Sequence, residues 1–364
     1  MTDGAARKPR VRELGIEIGV LKPGRFNAIT DVEGVLVGQT TLHDDALGMH
    51  TGVTAIRPHG GNVFQDKVPV GVFLGNGFGK MTGYPQMKEL GTLETPIVLT
   101  NTLSVAAGLD GLIDWTFSIP ENASVESVNG FVGETNDGGV NNIRARFVKP
   151  CHVTEALRKA ASGPVEEGAV GAGSGTKAFG WKAGIGTASR VLPASMGGWT
   201  VGVLVQANFG GLLRVKGLEV GRALGRYPYE KELASADGSI MMICATDAPL
   251  NARNLERLAK RAFMGMTMTG GIASNGSGDF AAAFSTAKSL RIRHQAPALE
   301  LAGGPTVAND DMTPLFMAAI EATEEAILNS LFAARSIDGF NGKRCDALPV
   351  DRVLEMLKSH NLLV

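Results

Sequence analysis

The sequence predicts an α+β protein with one continuous core, and three observations predict it. Glycine supplies 48 of 364 residues, nearly twice the usual share of ~7%. The glycines follow no repeat, so they punctuate short extended segments rather than build a fibre. Val-, Ile- and Thr-rich runs of strand length recur between turn residues. A few segments instead carry apolar residues at helical spacing. No linker or composition break divides the chain into two cores.

Taken in order, the first strands are GVLVGQTTL (34–42), TGVTAIRP (51–58), VPVGVFLG (68–75) and TPIVLT (95–100). A helix follows over 104–115. FVGETNDG (131–138) reads as a strand end running into a polar loop, and 153–161 as a helix. Residues 168–190 are rich in Gly and Ser, with basic and aromatic residues mixed in. WTVGVLVQANFGG (199–211) is a buried strand. The polar, aperiodic segment 214–237 reads as an exposed loop, where a chain break is tolerated. SIMMICA (239–245) is a second buried strand.

Beyond that strand, Asp247 is the expected N-cap of a helix and Pro249 a first-turn residue. The helix carries a stripe of Leu255, Leu258, Ala259, Ala262, Phe263 and Met266. TGGIASNGSGDFAAAFSTA (269–287) runs from loop to strand. Asp311 is the expected cap of a long helix with the stripe Phe316, Ile320, Thr323, Ile327 and Leu331. CDALPVDRVLEMLKSH carries a short final helix.

Composition removes several function classes. Hydrophobic residues make up 44% and charged residues 20%, which permits a sizeable core and argues against disorder. The formal net charge is −1 and no basic block occurs, so neither nucleic acid nor an anionic membrane is an expected partner. No apolar run approaches the ~20 residues of a membrane span. The charged N-terminal stretch lacks the apolar core of a signal peptide, and a cytoplasmic setting is expected. Cys151, Cys244 and Cys345 lie far apart and form neither a disulfide framework nor a metal pair. Cys244 reads as a small core residue. His43 and His50 of HDDALGMH stand seven apart with carboxylates between them, and read as a surface loop rather than a metal cluster.

The motifs of common chemistries are weak or missing. The glycines around Gly171 and Gly173 lack the Lys-Ser/Thr of a phosphate loop. GSG at 173–175 and 276–278 lacks the flanks of a nucleophile elbow. A serine nucleophile here needs a base other than histidine. Ser239 offers one reading. If the chain breaks between Gly238 and Ser239, the serine gains an α-amine of pKa ~7.7–8.0, and so carries its own base. On pattern alone the plainer reading of Ser239, as a strand-start or turn residue, is favoured, because turn serines are common.

Seven motifs in fixed order change that balance: ITDVEGVLVGQTTL, FVGETNDGGVNNIR, GAGSGTKAFGWKAGIGTASR, VGVLVQANFGG, GSIMMICATDAPL, SNGSGDFAAAFST and DALPVDRV. Over about residues 24–355 the chain resembles the DmpA/BapA family of aminopeptidases, the L-aminopeptidase D-amidase/D-esterases and β-aminopeptidases. The resemblance implies a four-layer αββα sandwich of the DmpA/ArgJ-like superfold. It implies one domain over 1–364, self-cleaved between Gly238 and Ser239 into an α chain (1–238) and a β chain (239–364) that stay associated. It implies homotetramers of such pairs, small peptides, amides or esters as substrates, and neither metal nor organic cofactor. By the same resemblance the nucleophile falls on Ser239, its supporting serine and carboxylate on Ser277 and Asp279, and the oxyanion donor on Asn208. The acid that meets the substrate ammonium falls on Glu134. β-Peptide-cleaving members carry Glu where this chain has Asp279. Acyltransferases of the ornithine acetyltransferase type and amide-oligomer hydrolases share the superfold but carry Thr in place of Ser239. An unprocessed, non-catalytic assembly protein is the reading from outside enzymology.

Overall fold

A computed structural model describes residues 7–228, 238–295 and 304–363. Strands of five residues or more are numbered β1 Leu36–Asp44, β2 Met49–Arg57, β3 Asp66–Gly77, β4 Ile97–Asn101, β5 Phe131–Thr135, β6 Ile185–Val191, β7 Thr200–Asn208, β8 Ser239–Thr246 and β9 Gly278–Ser285. Helices of seven or more are α1 Tyr84–Leu90, α2 Val105–Phe117, α3 Pro150–Lys159, α4 Ala252–Met268, α5 Thr313–Phe332 and α6 Val350–Ser359.

The layering follows from alternation along β8, a strand buried at every position. Ile240, Met242 and Cys244 enter a core shared with α4, α5 and α6. Met241, Ile243 and Ala245 enter a second core, opposite Ile97, Leu99 and Phe131 of another sheet. Successive strand residues face opposite sides, so a strand covered on both faces reads as an unbroken apolar run. On the far side of the second sheet, Val53, Ala55, Val98 and Val132 meet Leu112 of α2 and Val153, Ala156 and Leu157 of α3. Three cores between four layers make an αββα sandwich.

The smaller sheet runs β1-β2-β4-β5, antiparallel except for the last pair. The larger is seven-stranded when its two-residue strands are counted, with the long strands in the order β3-β9-β8-β7-β6. Within it β8 and β9 are parallel and the other long pairs antiparallel.

Most predicted elements fall in place, with local corrections. Asp247 does not cap α4. Its carboxylate accepts the Thr200 N–H at 2.8 Å, which ties the end of β8 to the start of β7. The helix begins later, where Asn251 Oδ1 accepts the Asn254 N–H at 3.0 Å. Asp311 likewise precedes its helix, in a 3-10 turn over Asn309–Met312. The predicted stripe of α4 is buried except Phe263, which is half-buried. Helix α5 is buried over most of its circumference, so Phe316 and Ile320, half-buried near its start, are among its more open apolar residues. Strand β6 emerges from the Gly/Ser-rich stretch without a strand-like apolar run. Its place is set by packing: a Cβ at Gly186 would sit 1.9 Å from the Ala326 carbonyl of α5, so only glycine lets the helix lie this close. Of the expected exposed loop 214–237, residues 229–237 lie outside the described residues, and Val220–Ala223 forms one helical turn.

Helix α5 is pinned to β6 by charge as well as by apolar packing. Arg190 is fully buried. It donates to Glu321 at 2.9 Å and to Glu325 at 2.7 Å, both on α5. Removing one member of a buried ion pair strands the remaining charge, at a cost of about 3–5 kcal/mol. Arg190→Leu is therefore expected to lower unfolding stability by about that amount, read as a shift of the urea midpoint. A midpoint within experimental error of the parent contradicts this role.

Candidate active site

Three neighbouring strands bring the first candidate residues together. Ser239, the first residue of β8, is paired with Asn208 on antiparallel β7 and with Gly278 on parallel β9. Paired residues present their side chains on one face of a sheet. For Ser239 and Asn208 that face is the one occupied by Met241, toward the smaller sheet. Ser239 is buried. Its hydroxyl donates to the Gly238 carbonyl at 2.5 Å and accepts the Gly278 N–H at 3.2 Å. The nucleophile expected from the sequence thus bears on the carbonyl of the bond expected to break. Gly238 has no room for a side chain: a Cβ there would sit 2.3 Å from the Asn208 carbonyl oxygen and 2.5 Å from Phe209 Cα.

The Asn208 amide is oriented at both ends. Its Oδ1 accepts the Lys177 N–H and its Nδ2 donates to the Asn136 carbonyl, each at 3.1 Å. An amide nitrogen carries two hydrogens, so one is left over after the bond to Asn136. The loop supplying Lys177 is organised from within by Lys182, a fully buried residue that sequence reading passed over. Its ammonium donates to the carbonyls of Gly173, Thr176 and Ala183 at 3.0, 2.8 and 2.6 Å. Burial pulls its pKa down to about 7. Asp137, next to Asn136, is also buried; burial lifts its carboxyl to about 6 against hydrogen bonds from Thr51, Asn141 and Asn101. Both lie inside motifs that carry the family resemblance, but nothing in those motifs singles either residue out.

Ser277 and Asp279 are coupled directly, the serine hydroxyl donating to Asp279 Oδ1 at 2.6 Å. Asp279 is wholly buried and its Oδ2 has no hydrogen-bond partner. Burial raises this carboxyl to about 6, with the Ser277 bond pulling the other way. Asp279 pairs with Ile240, one step along the ladder from Ser239. The loop before β9 is clamped by Asn76, absent from the sequence-based set, whose amide donates to the carbonyls of Ser274, Asn275 and Ser277.

Glu134 comes from β5 in the other sheet and is also buried. Its Oε1 accepts the Lys80 N–H at 3.0 Å and the Lys80 ammonium at 3.1 Å, and its Oε2 accepts the Thr102 hydroxyl. Lys80 and Thr102 were not legible as partners, because they lie 54 and 32 positions away. The Lys80 side chain is half exposed. The Phe78–Lys80 turn joins the two halves of the site: a Cβ at Gly79 would lie 3.3 Å from Gly278 Cα and 3.4 Å from Glu134 Oε1. A buried carboxylate paired with a half-exposed cation therefore lies, across one glycine, from the strand beside Ser239.

A hydroxyl on a carbonyl, an amide donor on the same face and a buried carboxylate suit acyl transfer to serine. The comparisons point the same way. A family model described as peptidase family S58 matches residues 27–345. Two proteins named β-peptidyl aminopeptidase BapA are similar over nearly the whole chain. That of Sphingosinicella microcystinivorans is 41% identical over 99% of this chain and 94% of its own, and that of Sphingosinicella xenopeptidilytica 37% over 96% and 91%. Among solved structures, a Burkholderia β-aminopeptidase superposes with a TM-score of 0.89 at 42% identity, covering 96% of this chain and 99% of its own. The L-aminopeptidase D-Ala-esterase/amidase of Ochrobactrum anthropi, described as a variant of the Ntn hydrolase fold, gives 0.89 at 33%, covering 98% and 100%. The PH0078 protein of Pyrococcus horikoshii gives 0.89 at 46%, covering 97% and 99%. Serine chemistry, sandwich architecture and end-to-end similarity converge: the chain belongs to peptidase family S58 and is a serine peptidase of the N-terminal-nucleophile hydrolase fold.

Proposed function

We propose that the chain cleaves itself between Gly238 and Ser239, and that the resulting αβ pair removes N-terminal residues, β-amino residues among them, from short peptides, amides or esters. The observation that carries this reading is the Ser239 hydroxyl, held 2.5 Å from the Gly238 carbonyl oxygen. Attack on that carbonyl carbon converts the peptide bond to an ester on Ser239 Oγ and frees the serine nitrogen. Water then hydrolyses the ester, leaving a carboxylate on Gly238 and an α-amine on Ser239. The interleaving of strands supports lasting association of the products: in the large sheet β7 and β3 would belong to the first piece, β8 and β9, lying between them, to the second.

In turnover, Ser239 Oγ attacks the carbonyl of the substrate's first residue while the α-amine takes its proton. The remaining Asn208 N–H stabilises the oxyanion, an interaction worth ~3–4 kcal/mol where comparable donors are removed. The ammonium then protonates the departing amine, and water releases the acyl group by the reverse path. Asp279 Oδ2, buried without a partner, is the counter-charge for the new ammonium, with Ser277 orienting the carboxylate. Glu134 receives the substrate's N-terminal ammonium as Lys80 swings out, which favours aminopeptidase over endopeptidase action because a mid-chain amide brings no charge. The BapA relatives and the Burkholderia enzyme support β-amino residues as substrates. Homotetramers of αβ pairs and a cytoplasmic setting belong to the same reading. Among the described residues no helix is long and apolar enough to cross a membrane.

Three outcomes are expected. On a denaturing gel the purified protein runs as two bands of about two-thirds and one-third of its 38.0 kDa, and Ser239→Ala as one. A single band for both proteins sinks self-cleavage. Glu134→Gln loses a charge-assisted contact worth about 1.5–3 kcal/mol, so kcat/KM on β-alanyl or L-alanyl p-nitroanilide falls roughly 10- to 150-fold. Band pattern and processing stay unchanged; an unaltered kcat/KM removes Glu134 from the substrate. In the uncleaved Ser239→Ala background Asp279 lacks its ammonium. A carboxyl whose folded pKa exceeds its unfolded value of ~3.9 favours the fold when protonated, and that contribution fades as pH rises toward the folded value, here about 6. Adding Asp279→Asn to that background should therefore stabilise it more at neutral pH than near pH ~4. A stability gap independent of pH contradicts the assignment.

A further inference from the structure

The β1–β2 hairpin sets His43 directly opposite His50. Facing side chains of an antiparallel pair share one side of the sheet, so a seven-residue spacing becomes a contact. The two Nδ1 atoms are 3.2 Å apart and the rings meet edge to face at 4.9 Å between centroids. Asp45, in the turn between the strands, extends its carboxylate to both rings. Its Oδ1 lies 3.4 Å from His43 Nε2 and 3.6 Å from His50 Nε2. One ligand atom from each residue lies within 4.8 Å of the other two. The surface loop expected at HDDALGMH is thus a hairpin tip where three metal-ligating side chains converge.

We propose that His43, Asp45 and His50 form a binding site for one divalent transition-metal ion of the zinc type, separate from the Ser239 site. Donor chemistry sets the class: two imidazoles and a carboxylate suit zinc, cobalt, nickel or copper, whereas calcium and magnesium take oxygen ligands. The decisive observation is His50. Its ring is fully buried, and its Nε2 makes no hydrogen bond. A buried ring nitrogen without a partner leaves its desolvation uncompensated, and a metal bond would compensate it. The residue is held in place from behind, its backbone N–H donating to Asn141 Oδ1 at 3.1 Å.

The other two ligands can move. The side chains of His43 and Asp45 are 52% and 72% exposed, so both can adjust around a fixed His50. Zinc–ligand bonds of ~2.0 Å in a tetrahedron put ligand atoms about 3.3 Å apart, close to the distances from Asp45 to the two rings. Asp44 is already engaged by the turn, accepting the Leu47 N–H at 3.2 Å.

The test is titration of chelator-treated, untagged full-length protein with Co²⁺ near neutral pH, followed by visible absorption and then by displacement with Zn²⁺. One equivalent of cobalt is expected to give ligand-field bands that zinc abolishes. His43→Ala and Asp45→Ala, at exposed positions that leave the fold intact by circular dichroism, should each weaken binding by at least the roughly 10-fold typical of losing even an outer partner of a ligand. His360→Ala, an exposed histidine elsewhere, should bind as the parent does. Absence of uptake by the parent at millimolar cobalt, or parental affinity in either ligand variant, overturns the proposal.

Discussion

The structure depends on one row of three residues across the β7–β8–β9 ladder: Asn208, Ser239 and Gly278. That register puts an amide donor and a hydroxyl on one face, and turns a backbone N–H of the third strand toward the hydroxyl at 3.2 Å. It also sets Asp279 one step further along. A slip of one residue would reverse every side chain of β8 between two filled cores. Burial of β8 on both faces therefore holds the serine still. The bond proposed to break lies at the strand's mouth, where Gly238 presses against Asn208 and Phe209 with no space for a side chain.

The second half of the site comes from a different sheet, and the sandwich brings the halves together. Glu134 ends β5, and the Phe78–Lys80 turn lies between it and Gly278. The surroundings contain several buried polar groups whose charged forms are disfavoured: Asp137, Lys182 and Asp279 all have pKa values moved toward neutrality by burial. Such groups lower stability unless their hydrogen bonds are complete. Here Lys182 is satisfied by three carbonyls, while Asp279 retains an unpaired oxygen. That difference separates a group that supports a loop from one left open for the charged partner proposed above.

Much of this was legible in the sequence, and the gaps have physical causes. Among the described residues, eight of the nine long strands announce themselves through apolar runs or strand-to-loop motifs, because their residues fill cores. Strand β6 does not, since its place is set by helix α5 packing against Gly186 and by the ion pairs of Arg190. The caps expected at Asp247 and Asp311 were displaced because one carboxylate serves the neighbouring strand and the other sits in a preceding 3-10 turn. Ser239, Asn208, Ser277, Asp279 and Glu134 are named by motif resemblance. Much of what surrounds them is long-range, as with Asn76, Lys80 and Thr102; Lys182 instead gathers carbonyls of its own loop, an arrangement that local pattern does not encode. The facing of His43 and His50 was hidden for the same reason, since strand register decides it.

The central claim is that Ser239 carries the acyl group. The most direct measurement is intact and peptide-level mass spectrometry of the enzyme quenched with acid during turnover of a β-alanyl or L-alanyl ester. A transient adduct of the acyl residue's mass is expected on a peptide that begins at Ser239, lost on further incubation and absent from Ser239→Ala. An adduct on any other residue, or hydrolysis with no adduct on that peptide under conditions where acylation outruns deacylation, would contradict it.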